Sequence, residues 1–141
     1  MKRLAVLITS ALFAASAWAG NITVSSAWIR YLPAGVPAGG FFTVHNRGKQ
    51  SLALIGASSP DYAMVMIHKT IEDGGVSKMV PVDKINLPAG GNVSFHPGGY
   101  HLMFMHAKHD IKVGSKITVM LEFSGGQKVP AQFEVRAPTT P

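Results

Sequence analysis

The 141-residue sequence contains no cysteine. That absence excludes a disulfide framework, a thiol nucleophile, a thiolate metal ligand and a lipid-bearing cysteine. Stability therefore has to come from packing, and any metal has to be held by other atoms. Acidic residues are few, 7 Asp and Glu against 13 Lys and Arg, for a formal net charge of +6. The basic residues stand singly, so they read as a solvated surface and not as a nucleic-acid stripe; a preference for an acidic protein partner stays open. Catalytic constellations are missing as well. There is no His-x-x-x-His, no paired-carboxylate arrangement and no serine in a recognisable nucleophile motif, so an enzyme is not expected.

Long apolar runs are confined to the start of the chain. Met1-Lys2-Arg3 is a short basic opening, Leu4 to Ala15 a compact apolar run, and Ala17-Trp18-Ala19 a small-x-small cleavage pattern. This reads as a secretory signal peptide over residues 1–19. A membrane span needs about 20 apolar residues, so no membrane anchor is expected, and the mature protein is expected to begin at Gly20. Residues 20–141 amount to one domain, expected as a monomer, with enough chain for one core and not for two.

Helical periodicity is scarce. Short alternating runs separated by glycine and proline recur instead, at the spacing of an antiparallel β domain. Strands are expected over Ile22–Arg30, Gly40–Asn46, Leu52–Ala57, Ala63–Thr70, Ser77–Val82, Asn92–His96, Tyr100–Ala107, Lys116–Phe123 and Lys128–Arg136. Turn chemistry lies between them, as at Asp73-Gly74-Gly75 and Pro97-Gly98-Gly99. Such a chain closes as an all-β, antiparallel Greek-key sandwich or barrel.

On a strand, residues two apart share a face. His101 and Met103 therefore point the same way, with Leu102 and Phe104 opposite as the buried set. Met64, Met66 and His68 share one side of their strand, with Val65 and Ile67 on the other. Imidazole binds copper in either oxidation state, and a neutral, soft thioether favours Cu(I) over hard divalent ions. A blue-copper centre is excluded because it needs a thiolate. Against this, methionine in an apolar strand usually fills a core, the expectation for Met64, Met105 and Met120. His45, His96, His106 and His109 read as surface residues, with an accessory Cu(II) site at His96, His106 and His109 left open. Met66 could belong to either group.

His68, Met79, His101 and Met103 form the pattern His-x10-Met-x21-His-x-Met. Together with Ala27-Trp28-Ile29-Arg30, Gly56-Ala57-Ser58-Ser59-Pro60, Leu87-Pro88-Ala89-Gly90-Gly91 and Pro97-Gly98-Gly99-Tyr100-His101-Leu102-Met103, it resembles the PCuAC family of periplasmic copper chaperones. The likeness covers nearly all of residues 20–141. It implies a cupredoxin-like barrel in which His68, Met79, His101 and Met103 bind one Cu(I), supported from within by Tyr100, Leu102 and Phe104. Trp28 would lie in the core or beside the site. It implies a periplasmic location and delivery to the copper subunit of cytochrome c oxidase, alongside a thioredoxin-like assembly factor. One departure is Lys69-Thr70, where many members carry an acidic residue and a methionine; on a strand Lys69 should face away from His68. Two other functions compete with delivery: copper buffering through the same site, and a secreted β-sandwich adaptor that binds no metal.

Overall fold

The computed structural model describes residues 20–33 and 35–139. The signal-peptide reading falls on residues 1–19, outside that range. Ten strands follow in order: β1 (Ile22–Arg30), β2 (Ala38–Asn46), β3 (Leu52–Ser58), β4 (Tyr62–Asp73), β5 (Val76–Pro81), β6 (Ile85–Leu87), β7 (Asn92–Phe95), β8 (Tyr100–Ala107), β9 (Lys116–Phe123) and β10 (Lys128–Arg136). A 3-10 turn at Ser124–Gly126 joins the last two. Alternation predicts all of them except β6. Its three residues, Ile-Asn-Leu, are too short a run to show a period, and pairing with β3 makes them a strand.

Seven strands close a barrel in the order β4-β8-β2-β1-β10-β9-β3, the ring being completed where Ala57 of β3 meets Val65 of β4. This is the all-β barrel that alternation predicts, in the cupredoxin-like form that the family resemblance implies. Its neighbours are antiparallel apart from β1 and β10, which run parallel with Trp28 opposite Glu134. β5 extends the sheet from β4, β6 extends it from β3, and β7 takes over from β8 as the partner of β2.

Alternation along each strand sends one set of side chains into the barrel. Ile117, Val119, Leu121 and Phe123 of β9 and Val129, Ala131, Phe133 and Val135 of β10 are buried. The intervening Lys116, Lys128, Gln132 and Glu134 are exposed. Aromatic contacts link the core across strands: Phe42 lies 4.3 Å from Phe95 and 5.4 Å from Phe133, and Tyr62 lies 5.0 Å from Phe104. Buried Asn46 is fully engaged: its amide donates to the Gln50 and Leu87 carbonyls, and its side-chain oxygen accepts from Gly48 N–H. It thereby ties the β2–β3 turn to β6.

Glycine at position 40 is required by a close approach. A Cβ there would stand 2.4 Å from a ring carbon of Phe104, which is itself buried against the opposing strand. Gly40→Ala is expected to destabilise the barrel by about 1–3 kcal/mol, the usual cost of overpacking a filled core. Urea unfolding checks this, and an unchanged midpoint would contradict the packing described.

Candidate metal centre

The site is built on the antiparallel ladder between β4 and β8. Its register sets Val65 opposite Phe104, Met66 opposite Met103, Ile67 opposite Leu102, His68 opposite His101 and Lys69 opposite Tyr100. Directly opposed residues point to the same side of a sheet. Val65, Ile67, Leu102 and Phe104 are buried in the barrel, so His68, Met66, His101 and Met103 lie together on its outward face. Lys69 is exposed on the other side, with its ammonium 5.5 Å from the centre of the Tyr100 ring, so its charge is turned away from the histidines.

The two imidazoles meet edge to face with ring centres 5.8 Å apart. His101 is only 3% exposed although it faces outward. Its Nδ1 lies 3.2 Å from the Gly99 carbonyl. A carbonyl can only accept, so Nδ1 carries the proton and Nε2 keeps its lone pair. Gly99 is held in turn, since its carbonyl also accepts from Thr70 N–H and its own N–H donates to the His96 carbonyl. His101 Nε2 and His68 Nδ1 are both buried without a hydrogen-bond partner. Two orphaned imidazole nitrogens on facing residues are costly unless something electrophilic fills the place. A soft cation fits this donor set, because imidazole nitrogen and the flanking thioethers are all neutral ligands.

Met79 is placed differently. It stands on β5 opposite Thr70, with His68 opposite Pro81, so it shares the outward face but is displaced from the histidine pair in the direction opposite to Met103. Two strand spacings, roughly 10 Å, and four residues along β4, roughly 13 Å, separate the levels of the two methionines. Beyond Lys69, β4 pairs only with β5, and the hairpin turns through Gly74 and Gly75 at φ +60° and +81°. Both central residues at positive φ make the tight hairpin turn that glycine favours. Met79 is 59% exposed. The backbone register thus brings together His68, His101 and Met103 and leaves Met79 on the projecting ribbon beside them.

The remaining histidines do not gather. His96 packs over the Gly98-Gly99 turn before β8, where a Cβ on Gly99 would lie 2.7 Å from its ring. His106 lies near the far end of β8, and exposed His109 bonds Asp61 at 2.6 Å. The length of β8, on the order of 20 Å, separates His96 from His106. Among the described residues no three His, Cys, Asp or Glu side chains form a group that could hold a metal ion, which leaves the accessory Cu(II) site at His96, His106 and His109 without structural support.

The methionines also depart from expectation. Met64, Met105 and Met120 do not fill the core. Met64 is 49% exposed, and Met105 and Met120 are half-buried at outward positions. Alternation already placed Met64 with His68; the general tendency of methionine to be buried was the misleading cue. Trp28 lies outside the core as well, half-buried against Phe41 at 4.8 Å with the guanidinium groups of Arg30 and Arg136 over its ring.

Comparison with known proteins places the fold. The family model described as LpqE-like matches residues 22–135. "Putative lipoprotein Lxx21020" of Leifsonia xyli subsp. xyli is 32% identical over 119 residues, covering 84% of this chain and 71% of the relative. The copper-bound PCuAC domain from PmoF2 superposes with a TM-score of 0.70 at 26% identity, over 85% of this chain and 96% of that one. The Cu(I)-bound solution structure of DR1885 from Deinococcus radiodurans gives a TM-score of 0.66 at 26% identity, over 86% and 83%.

Burial, and then the neighbouring charge of His101, hold the His68 imidazole below the usual histidine value. The hydrogen bond to Asp61, chiefly, raises His109. The signs follow from linkage. The unfolded chain binds the His68 proton more readily, so stability falls as pH drops below about 6.5 and through the lowered value. The His109 contribution is complete below about 6.5 and is lost as pH rises through its raised value. NMR titration of the metal-free protein should find His68 titrating below His109; the reverse order would contradict the burial of the pair.

Proposed function

Since the chain belongs to the LpqE-like family and has the fold of PCuAC copper-binding domains, we propose that it is a copper carrier that holds one Cu(I) at His68, Met79, His101 and Met103 and yields it to an acceptor protein. The observation that carries this reading is the facing pair of buried, unpartnered nitrogens, His68 Nδ1 and His101 Nε2, bordered by a thioether at Met103. The solved neighbours that bind copper include one described as carrying Cu(I).

Each residue has a distinct task. His101 is held rigidly, its tautomer set by the Gly99 carbonyl, so that the Nε2 lone pair is a preformed ligand. His68 resists protonation because it is partly buried, so it stays a competent donor at mildly acid pH. Met103 supplies a soft donor on the same strand as His101. Met79 closes the set from the exposed hairpin, and its position suits exchange: a donor at the surface can be displaced first by an incoming acceptor's thiolate while the imidazoles still hold the ion. The role is transport and not catalysis.

The acceptor we propose is the copper subunit of cytochrome c oxidase, with a thioredoxin-like assembly factor acting beside it. Residues 1–19 would export the chain to the periplasm. The name of the relative, a lipoprotein, supports export, although this sequence has no cysteine.

Anaerobic Cu(I) titration against a chromophoric chelator should find one tight equivalent. His68→Ala, His101→Ala and Met103→Ala should each weaken it by at least the ~10- to 100-fold that losing a supporting partner costs a metal site. Met79→Ala should also weaken it, and His109→Ala should leave it unchanged. Equal losses across all five would remove the assignment. Affinity should fall as pH drops through the lowered His68 value, below the usual histidine range of about 6.5; an affinity that does not respond to acid at all would exclude histidine ligation. Mixing the loaded protein with an apo oxidase copper domain under reducing conditions should move the ion, and its retention would favour buffering over delivery.

A further inference from the structure

The register that pairs the histidines also pairs methionines. Met66 stands opposite Met103, and Met64 opposite Met105. The two pairs continue directly from His68–His101 along the outward face of β4 and β8. On β9 and β10 the outward face is mostly polar, with Lys116, Thr118 and Glu122 beside a single Met120, and Lys128, Gln132 and Glu134 beside Pro130. On β4 from Met64 to Met66 and on β8 from Met103 to Met105, every outward side chain is a thioether.

Core packing does not explain them, because the inward positions between them are already taken by Val65 and Phe104. Met64 is 49% exposed, and Met66, Met103 and Met105 are half-buried. Leaving these side chains against water forgoes their burial, and lysine or threonine would serve a solvent face better. Opposed Cβ atoms lie about 4.5–5.5 Å apart, and successive outward positions roughly 7 Å apart. Each sulfur is two bonds beyond its Cβ on a chain with three rotatable bonds, so three or four sulfurs can converge above the patch. Only the outermost end breaks the pattern. The ladder is interrupted at Ala63 and His106, where His106 has φ +55°, and beyond that point Tyr62 turns inward onto Phe104.

We propose that Met64, Met66 and Met105 form a second, thioether-only site for a soft monovalent ion, Cu(I) or Ag(I), with Met103, opposite Met66, bordering both this site and the histidine pair. All its donors are neutral and soft, so it discriminates against Mg²⁺, Ca²⁺ and Zn²⁺. It is weaker than the histidine site because thioethers are poor bases. It lies on the open face, where an incoming ion would meet it before the buried imidazoles. Met103 belongs to both sets, which lets an ion pass from one to the other without returning to water. This site does not depend on copper being held by the histidines.

The test uses Ag(I), which needs no reducing conditions, with native mass spectrometry for stoichiometry and methionine ε-methyl NMR for location. The unaltered protein should take up two equivalents. A His68→Ala/His101→Ala variant should keep one, with the methyl signals of Met64, Met66 and Met105 shifted. A Met64→Leu/Met66→Leu/Met105→Leu variant keeps the apolar volume and should fall from two equivalents to one. A silver-free histidine variant, or two equivalents surviving the leucine replacements, would overturn the proposal; the latter would show the face to be merely an apolar surface. Should the leucine variant bind nothing while the histidine variant still binds one ion, the thioether site would stand and the histidine assignment would fall.

Discussion

The antiparallel register of β4 against β8 is the constraint on which the rest depends. It holds Val65, Ile67, Leu102 and Phe104 in the barrel and, by the same alternation, puts His68 against His101 and Met66 against Met103 on the other face. A slip of either strand by one residue would carry its two buried hydrophobic side chains into water and its histidine into the core. The core therefore fixes the site: the energy that keeps the apolar set inside is what keeps two imidazole edges together. Few hydrogen bonds to the two imidazoles are needed for this; among the described residues one is made, from His101 to the Gly99 carbonyl.

The surrounding fold divides into a rigid part and an open part. His101 lies in the middle of a sheet, backed by Leu102 and Phe104, with Gly40 allowing the Phe104 ring to lie against β2. Phe41 covers Gly39 and supports Trp28, beneath two arginines. The β4–β5 ribbon, in contrast, projects past β8 and carries Met79 into solvent. The proposed carrier role calls for this asymmetry, with donors that hold and a donor that yields. Among the described residues the outward face of β4 and β8 bears only histidine, methionine and threonine from Met64 to Thr70 and from His101 to Met105.

Much of this could be read in the sequence, for identifiable reasons. Nine strands are visible because each is long enough to alternate and is bounded by turn residues. β6 is not, since Ile85–Leu87 becomes a strand only through its pairing with Leu52–Leu54. The faces of Met64 and Met105 follow from parity with His68 and His101, yet the common preference of methionine for interiors points the other way; parity, which is geometry, prevails over composition. The separation of His96 from His106 already follows from the strand expected over Tyr100–Ala107, whose length sets its ends on the order of 20 Å apart; the bond of His109 to Asp61 was illegible, because it joins residues far apart in the chain.

The sequence by itself determined the available chemistry: without cysteine, any soft-metal site has to be built from imidazole and thioether, and the family resemblance is what singles out His68, Met79, His101 and Met103 as its proposed ligands. It also determined the sidedness of each strand, since a period of two follows from the backbone alone. Only the tertiary structure decided who stands opposite whom. That depends on which strands become neighbours and in what register, a choice made by the packing of the whole barrel, and it is this choice that leaves two nitrogens buried without partners and lines up four thioethers beside them.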